Sequence, residues 1–349
     1  MPASPEFVSA EARDRLNTAQ NLLVCGVNWL GDAVMSLPAL TAFRARHPDL
    51  PITLLVRRSL MPFWRCVPGL GQILEFERGW QGTGRTRRRV QDGAFDVAVI
   101  QPHSFRSAWI PFRAGIPVRI GLPGHVRDYL LTHRIQPHLE GGRMHQAWES
   151  VDLFGLELDT LPPPPYLDPP LDAGRRVLTA AGLDPDRNRM AVLFPGAARG
   201  PSKRWPVRHF AEIGRRLERE SGLRVLLAGT AEDRDVCDQV REAMGGGAVN
   251  LAGQTDVIEL AAILKVCMLV VANDSGGLHL ASAVGTPVVG VFGLTDPART
   301  APLGQTSRVV SDPLTCGSRD IARDSEAARQ VLERIEPDRV WTAIRELTG

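Results

Sequence analysis

The sequence predicts an α/β protein of two domains, each a doubly wound parallel sheet flanked by helices. Its 349 residues suffice for two units of about 150–170 residues, and 44% hydrophobic content fills two cores. Short apolar runs alternate with longer amphipathic ones, the rhythm of βα units. That rhythm breaks once, at TLPPPPYLDPPLD, and then restarts.

In the first half, NLLVCGV reads as a strand followed by a helix over 33–47, and PITLLV as a strand followed by a short helix over 60–66. QILEF precedes an Arg-rich helix near 80–92, and FDVAVI precedes a helix over 104–114. The six prolines between 160 and 172 forbid helix and central strand alike, so 161–172 reads as a linker between domains 1–160 and 173–349. Beyond it come MAVLF, helix 207–221, LRVLLAG, helix 231–243, AVNLAG, helix 256–265, CMLVVAN, helix 276–284 and PVVGVFG.

Net charge is only +2, yet residues 44–143 carry sixteen arginines against seven acids, so the first half suits an anionic partner or presents a solvated basic face. Aromatics are 6% of the chain and none interrupts the run GRTRRRVQDG, which disfavours nucleic acid. The five cysteines show no metal-ligand or disulfide spacing, which suits a reduced cytoplasmic compartment and suggests no metal site. No run of 18 apolar residues predicts a membrane span, and MPASPEFVSAEARDRL lacks the apolar core of a signal peptide.

Ligands of open α/β sheets bind beyond the carboxyl ends of strands, so strand-to-helix loops carry the information. Three stand out. NWLGDAV places Gly31 and Asp32 after the first strand. There Asp32 either caps the helix or faces a ligand. PGAARGPSKRWP follows MAVLF with small residues, among them Ala197, Ala198 and Ser202, that let backbone amides approach a ligand. It also holds Lys203, one of only two lysines beside 39 arginines, and a compact ammonium suits a diphosphate. NDSGGLHLASAVG opens a helix with Ser275, Gly276 and Gly277, whose unpaired N–H groups and positive dipole end suit a phosphate. No GxGxxG follows the first strand and no GxxxxGK[ST] occurs, which weakens dehydrogenase and P-loop readings.

Together, NWLGDAVMSLPAL, PGAARGPSKRWP and NLAGQTD…NDSGGLHLASAVGTPVVGVFG resemble glycosyltransferase family 9, from about residue 20 onward. Within it the type II heptosyltransferases are most similar, with types I and III as alternatives. The resemblance implies a GT-B fold: two Rossmann-like domains facing across a cleft, acceptor on the first and ADP-sugar donor on the second. It implies inverting, metal-independent transfer of heptose from ADP-heptose to the lipopolysaccharide inner core, with no cofactor.

It also implies residue roles. Asp32 takes the acceptor proton, and Gly31 keeps the backbone beside it small. Lys203 offsets the charge of the departing ADP together with the amides of 275–277. Asp274 holds sugar hydroxyls with support from His279, and Glu232 binds the ribose, with Asp233 next door the alternative. Arg87 and Arg88 would pair with the acidic core sugars or sit near an anionic membrane surface at the cytoplasmic face. Trp29 and Trp109 either stack on sugars or fill the core. A binding protein that retains this fold without transfer, and an epimerase of GT-B fold, are the competing readings.

Overall fold

The computed structural model describes residues 10–124, 126–139, 143–197, 203–318, 321–322 and 325–348. Each half of the chain forms one six-stranded sheet. The first contains β1 Leu22–Cys25, β2 Ile52–Val56, β3 Ile73–Glu75, β4 Val97–Ile100, β5 Val118–Gly121 and β6 His133–Arg134. The second contains β7 Met190–Phe194, β8 Arg224–Leu227, β9 Val249–Asn250, β10 Leu269–Asn273, β11 Val288–Phe292 and β12 Ser307–Ser311.

Both sheets are parallel throughout and share one winding. The first runs β3-β2-β1-β4-β5-β6 and the second, read from its far edge, β9-β8-β7-β10-β11-β12. The strand order therefore reverses between β1 and β4 in one sheet and between β7 and β10 in the other. Loops leaving those strands splay apart and open a crevice at their carboxyl ends. The central strands LLVC, MAVLF and LVVAN are buried at every position because helices cover both faces, and all their residues but Asn273 are apolar.

The helices follow the same logic. Leu30–Arg46 fills the space beside β1 with Val34, Leu37, Leu40 and Phe43. Val207–Ser221 buries Phe210, Ile213, Gly214 and Leu217, a single stripe at helical spacing, and stops where Gly222 turns to φ 63°. Among the described residues no helix is long and apolar enough to cross a membrane.

Three strands escape the reading by apolar runs. β5 and β12 carry Arg119 and Arg308 inside them, and β6 is only two residues long. All three lie at or next to a sheet edge, where one side of the strand is solvated and the apolar signal thins. The helices Ala147–Leu153, Leu171–Ala180, Glu326–Glu333 and Pro337–Thr348 also go beyond that reading.

The chain divides into two compact units between Pro162 and Pro163, so most of the expected linker, 161–172, packs within the second unit. Tyr166 and Leu167 are buried, and the Tyr166 N–H donates to the Ala283 carbonyl at 2.8 Å. Helix Leu171–Ala180 begins directly after Pro170, because proline fits the residue before a helix as well as it breaks an interior.

This helix lies tightly on Val257–Val266. A Cβ at Gly174 would stand 2.8 Å from the Ile263 nitrogen and 2.9 Å from the Ala262 carbonyl carbon. Backbone cannot yield as a flexible side chain does. Gly174→Ala should therefore destabilise the second unit by about 1–2 kcal/mol, the cost of overpacking exceeding the roughly 1 kcal/mol gained in helix propensity. Differential scanning calorimetry checks this, and a melting temperature equal to or above wild type would contradict the close packing.

Candidate active site

In the first unit, Asp32 is the third residue of helix Leu30–Arg46, whose N-cap is Trp29. It is thus inside the first turn and is not the capping residue. It lines a cavity of about 160 Å³ with Asn28, Trp29, Gln101, His103 and Glu149, between the loops that leave β1 and β4. This is the switch point of the first sheet. The walls are polar: His103 Nε2 lies 3.8 Å from Glu149 Oε2, and Gln101 Nε2 donates to the Ser150 hydroxyl at 3.4 Å. The buried Gln101 Oε1 has no hydrogen-bond partner, an acceptor that a ligand hydroxyl would satisfy. Trp29 is 59% exposed at the cavity rim, whereas Trp109 packs against the core. Gly31 is half-buried in the same first turn.

A second cavity of about 210 Å³ adjoins it, sharing Asn28 and Pro102. Arg57, Arg78 and Arg106 line it with Ser104 and Ser107. Arg106 is anchored by its bond to the Glu77 carbonyl at 2.8 Å and lies 4.9 Å over the Phe76 ring. Burial depresses its basicity, and the like charges of Arg78 and Arg57 add to this. Three guanidinium groups converging without a carboxylate in the wall form a receptor for an anion. Cys25 in the same wall is no nucleophile, since burial pushes its thiol up to about 12 against the opposing pull of Arg127.

The sequence expectation for two further arginines is contact with acidic core sugars or with an anionic membrane surface. Arg87 and Arg88 sit on helix Gly79–Asp92 and line neither cavity. Arg85 and Arg89 of the same run are paired with Glu77. Sequence reading missed Arg57, Arg78 and Arg106 because three separate loops and helices bring them together, and nothing marks them among sixteen arginines.

In the second unit the loop after β7 is held at both ends by one side chain. Asn273, fully buried at the end of β10, donates from Nδ2 to the Pro195 carbonyl at 2.8 Å. Its Oδ1 accepts the Trp205 N–H at 3.0 Å. Trp205 is buried in turn, its indole N–H donating to the Ile335 carbonyl at 2.7 Å. Ala197 is buried at the start of this loop, while Ala198 and Ser202 lie outside the described residues.

This clamp delivers Lys203 to Asp274, with Nζ 2.5 Å from Oδ2. Burial would push the Asp274 carboxyl up. The Lys203 ammonium and its hydrogen bond, the Thr295 hydroxyl and the charge of His279 together outweigh it, and hold the group below the usual carboxylate range. Lys203 has three N–H donors, so one bond to Asp274 leaves others to serve an anion.

Ser275 is the N-cap of helix Gly276–Ala283, yet its side chain makes no cap bond, and its buried Oγ has no hydrogen-bond partner. The ion pair, an orphan hydroxyl and a helix N-terminus therefore meet within four residues at the switch point of the second sheet. Gly277 has a packing reason of its own: a Cβ there would lie 2.6 Å from the Phe194 ring. His279 is buried one turn further along.

The pair Glu232 and Asp233 divides cleanly. Asp233 is buried and accepts the Thr230 N–H and hydroxyl at 3.0 and 2.9 Å, with Arg204 3.4 Å away. Its Oδ2 is committed to the turn and its Oδ1 faces Arg204. Glu232 is exposed, and hydrogen bonds from its own backbone and from Thr230 keep it ionised below the usual glutamate range.

Comparison with known proteins places the fold and the sequence among known relatives. The chain is similar to the structure of Escherichia coli ADP-heptose lipopolysaccharide heptosyltransferase II, with a TM-score of 0.79 at 26% identity, covering 94% of this chain and 98% of that one. It is 30% identical to lipopolysaccharide heptosyltransferase 2 of Escherichia coli over 93% of this chain and 98% of the relative. It is 31% identical to lipooligosaccharide heptosyltransferase 2 of Haemophilus ducreyi, over 93% and 99%. The two six-stranded parallel sheets with their flanking helices match the GT-B fold of heptosyltransferase structures. The profile of glycosyltransferase family 9 (heptosyltransferase) matches residues 83–327, and the chain belongs to that family.

The ion pair makes a directional forecast. With Lys203 present, the depressed Asp274 favours the folded state above the ordinary carboxylate pKa of about 3.9, and that contribution is lost as pH falls through the lower folded value. Lys203→Met leaves burial the dominant influence, so the Asp274 carboxyl should move upward and folding should be penalised as pH rises above the ordinary value. Carbon-detected NMR titration of Asp274 reads the shift. An unchanged midpoint would contradict the pairing.

Proposed function

We propose that the chain transfers heptose from ADP-heptose to the lipopolysaccharide inner core, as a heptosyltransferase of type II. The supporting observation is a division of chemistry between the units. A carboxylate stands in a sugar-sized polar cavity beside an arginine-lined one in the first, and a clamped ammonium stands at a helix N-terminus in the second. Relatives named heptosyltransferase 2 at 30% and 31% identity add weight to the subtype.

In this reading the acceptor lies in the first unit, its carboxylates or phosphates against Arg57, Arg78 and Arg106 and its hydroxyl at Asp32. The donor lies on the second. Lys203, the Ser275 hydroxyl and the amides of Gly276 and Gly277 hold the diphosphate, and Asp274 and His279 hold the sugar. Glu232 accepts from the ribose hydroxyls, since Asp233 is already committed.

The reaction is a single displacement. Asp32 takes the acceptor proton as that oxygen bonds to the anomeric carbon, and the bond from that carbon to the diphosphate breaks on the opposite face. The electron pair leaves with ADP, whose charge Lys203 and the helix N-terminus offset, so no metal ion or other cofactor is needed in this account. A lipid-linked acceptor places the enzyme in the cytoplasm, at the membrane face where the core is built.

The test is transfer from ADP-heptose with and without a truncated core acceptor, for wild type and Asp32→Asn. Wild type should release ADP only with acceptor present. Conversion of the sugar nucleotide without acceptor would indicate epimerase chemistry, and binding without turnover a sugar-nucleotide carrier. Asn keeps the shape of Asp in the first turn at a cost of about 0.3–1 kcal/mol of helix-dipole interaction, but accepts no proton at neutral pH. Asp32→Asn should therefore fold normally and lose roughly 10²–10⁴ in kcat. Near-normal turnover would remove Asp32 as the base.

A further inference from the structure

Among the described residues every exposed aromatic side chain belongs to the first unit: Trp29, Trp80, Phe105, Phe112 and Tyr129. Trp29 stands at the acceptor cavity. The other four gather on neighbouring elements that also carry arginine.

Helix Phe105–Arg113 places Phe105 and Phe112 at i and i+7, with half-buried Trp109 between them, on the side opposite its buried residues Ser107 and Ile110. Phe105 is 47% and Phe112 41% exposed. Helix Gly79–Asp92 lies alongside, joined where the Arg106 guanidinium donates to the Thr83 hydroxyl. On it Trp80, 91% exposed, shares a face with Arg87 two turns on, and Arg88 is exposed beside it. At the far end Arg119 lies 5.4 Å from the Phe112 ring and bonds the Leu130 carbonyl at 2.6 Å, which brings Tyr129, 88% exposed, to the same edge. Arg113 lies over Trp109. Among the described residues Arg87, Arg88 and Arg113 form no ion pair, so the patch carries net positive charge.

We infer that this face, built from helices Gly79–Asp92 and Phe105–Arg113 and the turn at Tyr129, docks the first unit onto the surface of an anionic lipid bilayer. Aromatic rings interspersed with arginine suit the headgroup region, where the rings meet the acyl boundary and the guanidinium groups meet lipid phosphate. The patch also adjoins the arginine-lined cavity, since Ser104 and Arg106, the neighbours of Phe105 in the chain, line its wall. The inference rests on the proposed function for its direction: a lipid-linked acceptor would be drawn into the cavity at the place where the protein meets the bilayer. In the sequence the arginine run and the aromatics are separate. The fold brings them together.

Flotation of the full chain with vesicles of phosphatidylcholine, alone or mixed with phosphatidylglycerol, tests this. Wild type should float with the mixed vesicles and weaken as salt rises. Trp80→Ser combined with Phe112→Ser should cut partition by about tenfold or more, since interfacial burial of two large rings is lost. Its melting temperature and its transfer rate to a delipidated, water-soluble core fragment should match wild type. Failure of wild type to float, equal partition of the double variant, or a parallel loss of transfer to the soluble fragment would each overturn the inference. A wild-type chain that floats but transfers no heptose would leave the docking face standing and refute the proposed reaction.

Discussion

Much of the second unit's chemistry depends on the side chain of Asn273. Its amide ties the loop after β7 at Pro195 on one side and at Trp205 on the other, and so fixes where Lys203 emerges. The strand that ends in Asn273 continues directly into Asp274 and Ser275, so one short segment supplies the clamp, the counter-ion and the helix N-terminus. A fully buried amide with these bonds is costly to disrupt, because truncation leaves the Pro195 carbonyl and the Trp205 N–H without partners. The result is a cation whose position is set before any ligand arrives, the preorganisation that favours stabilising a leaving diphosphate.

The first unit reaches an equivalent solution with different groups. There the helix after β1 carries a carboxylate in its first turn, and the neighbouring cavity gathers three arginines whose mutual repulsion a bound anion would relieve. The same strand order governs both sheets, and each puts its chemistry where that order reverses. The two units differ in which charge they present: the first offers a carboxylate with separate guanidinium groups, the second an ammonium already balanced by Asp274. In the proposed reaction that difference would serve an acceptor that loses a proton and a donor that releases a charged group.

Central strands such as LLVC and LVVAN were legible because burial on both faces forces continuous apolar runs. Edge strands like His133–Arg134 were not, since half of each is solvated. Asp32, Lys203 and Asp274 could be singled out because each lies directly after or near the end of a recognisable strand. Arg57, Arg78 and Arg106 could not, because their meeting is a product of tertiary structure. Gly277 was noticed for closeness to a ligand, and the fold gives it an additional task against Phe194. Pro-rich 161–172 was read as a tether, but backbone bonds to Ala283 and burial of Tyr166 bind it into the second unit. Composition signals where a chain cannot be helix. It does not say what the segment packs against.

The central claim is that the diphosphate is held by the second unit's clamped ammonium and not by the groups around Asp32. Isothermal calorimetry with ADP on wild type, Lys203→Ala and Asp32→Asn measures this directly. Removing Lys203 deletes the cation and leaves the Asp274 carboxylate facing a diphosphate, so ADP affinity should fall by about 30-fold or more, corresponding to roughly 2 kcal/mol or above for a truncated buried charge partner. Asp32→Asn should bind ADP as wild type does. Undiminished ADP affinity in Lys203→Ala, or an equal loss in Asp32→Asn, would contradict the account.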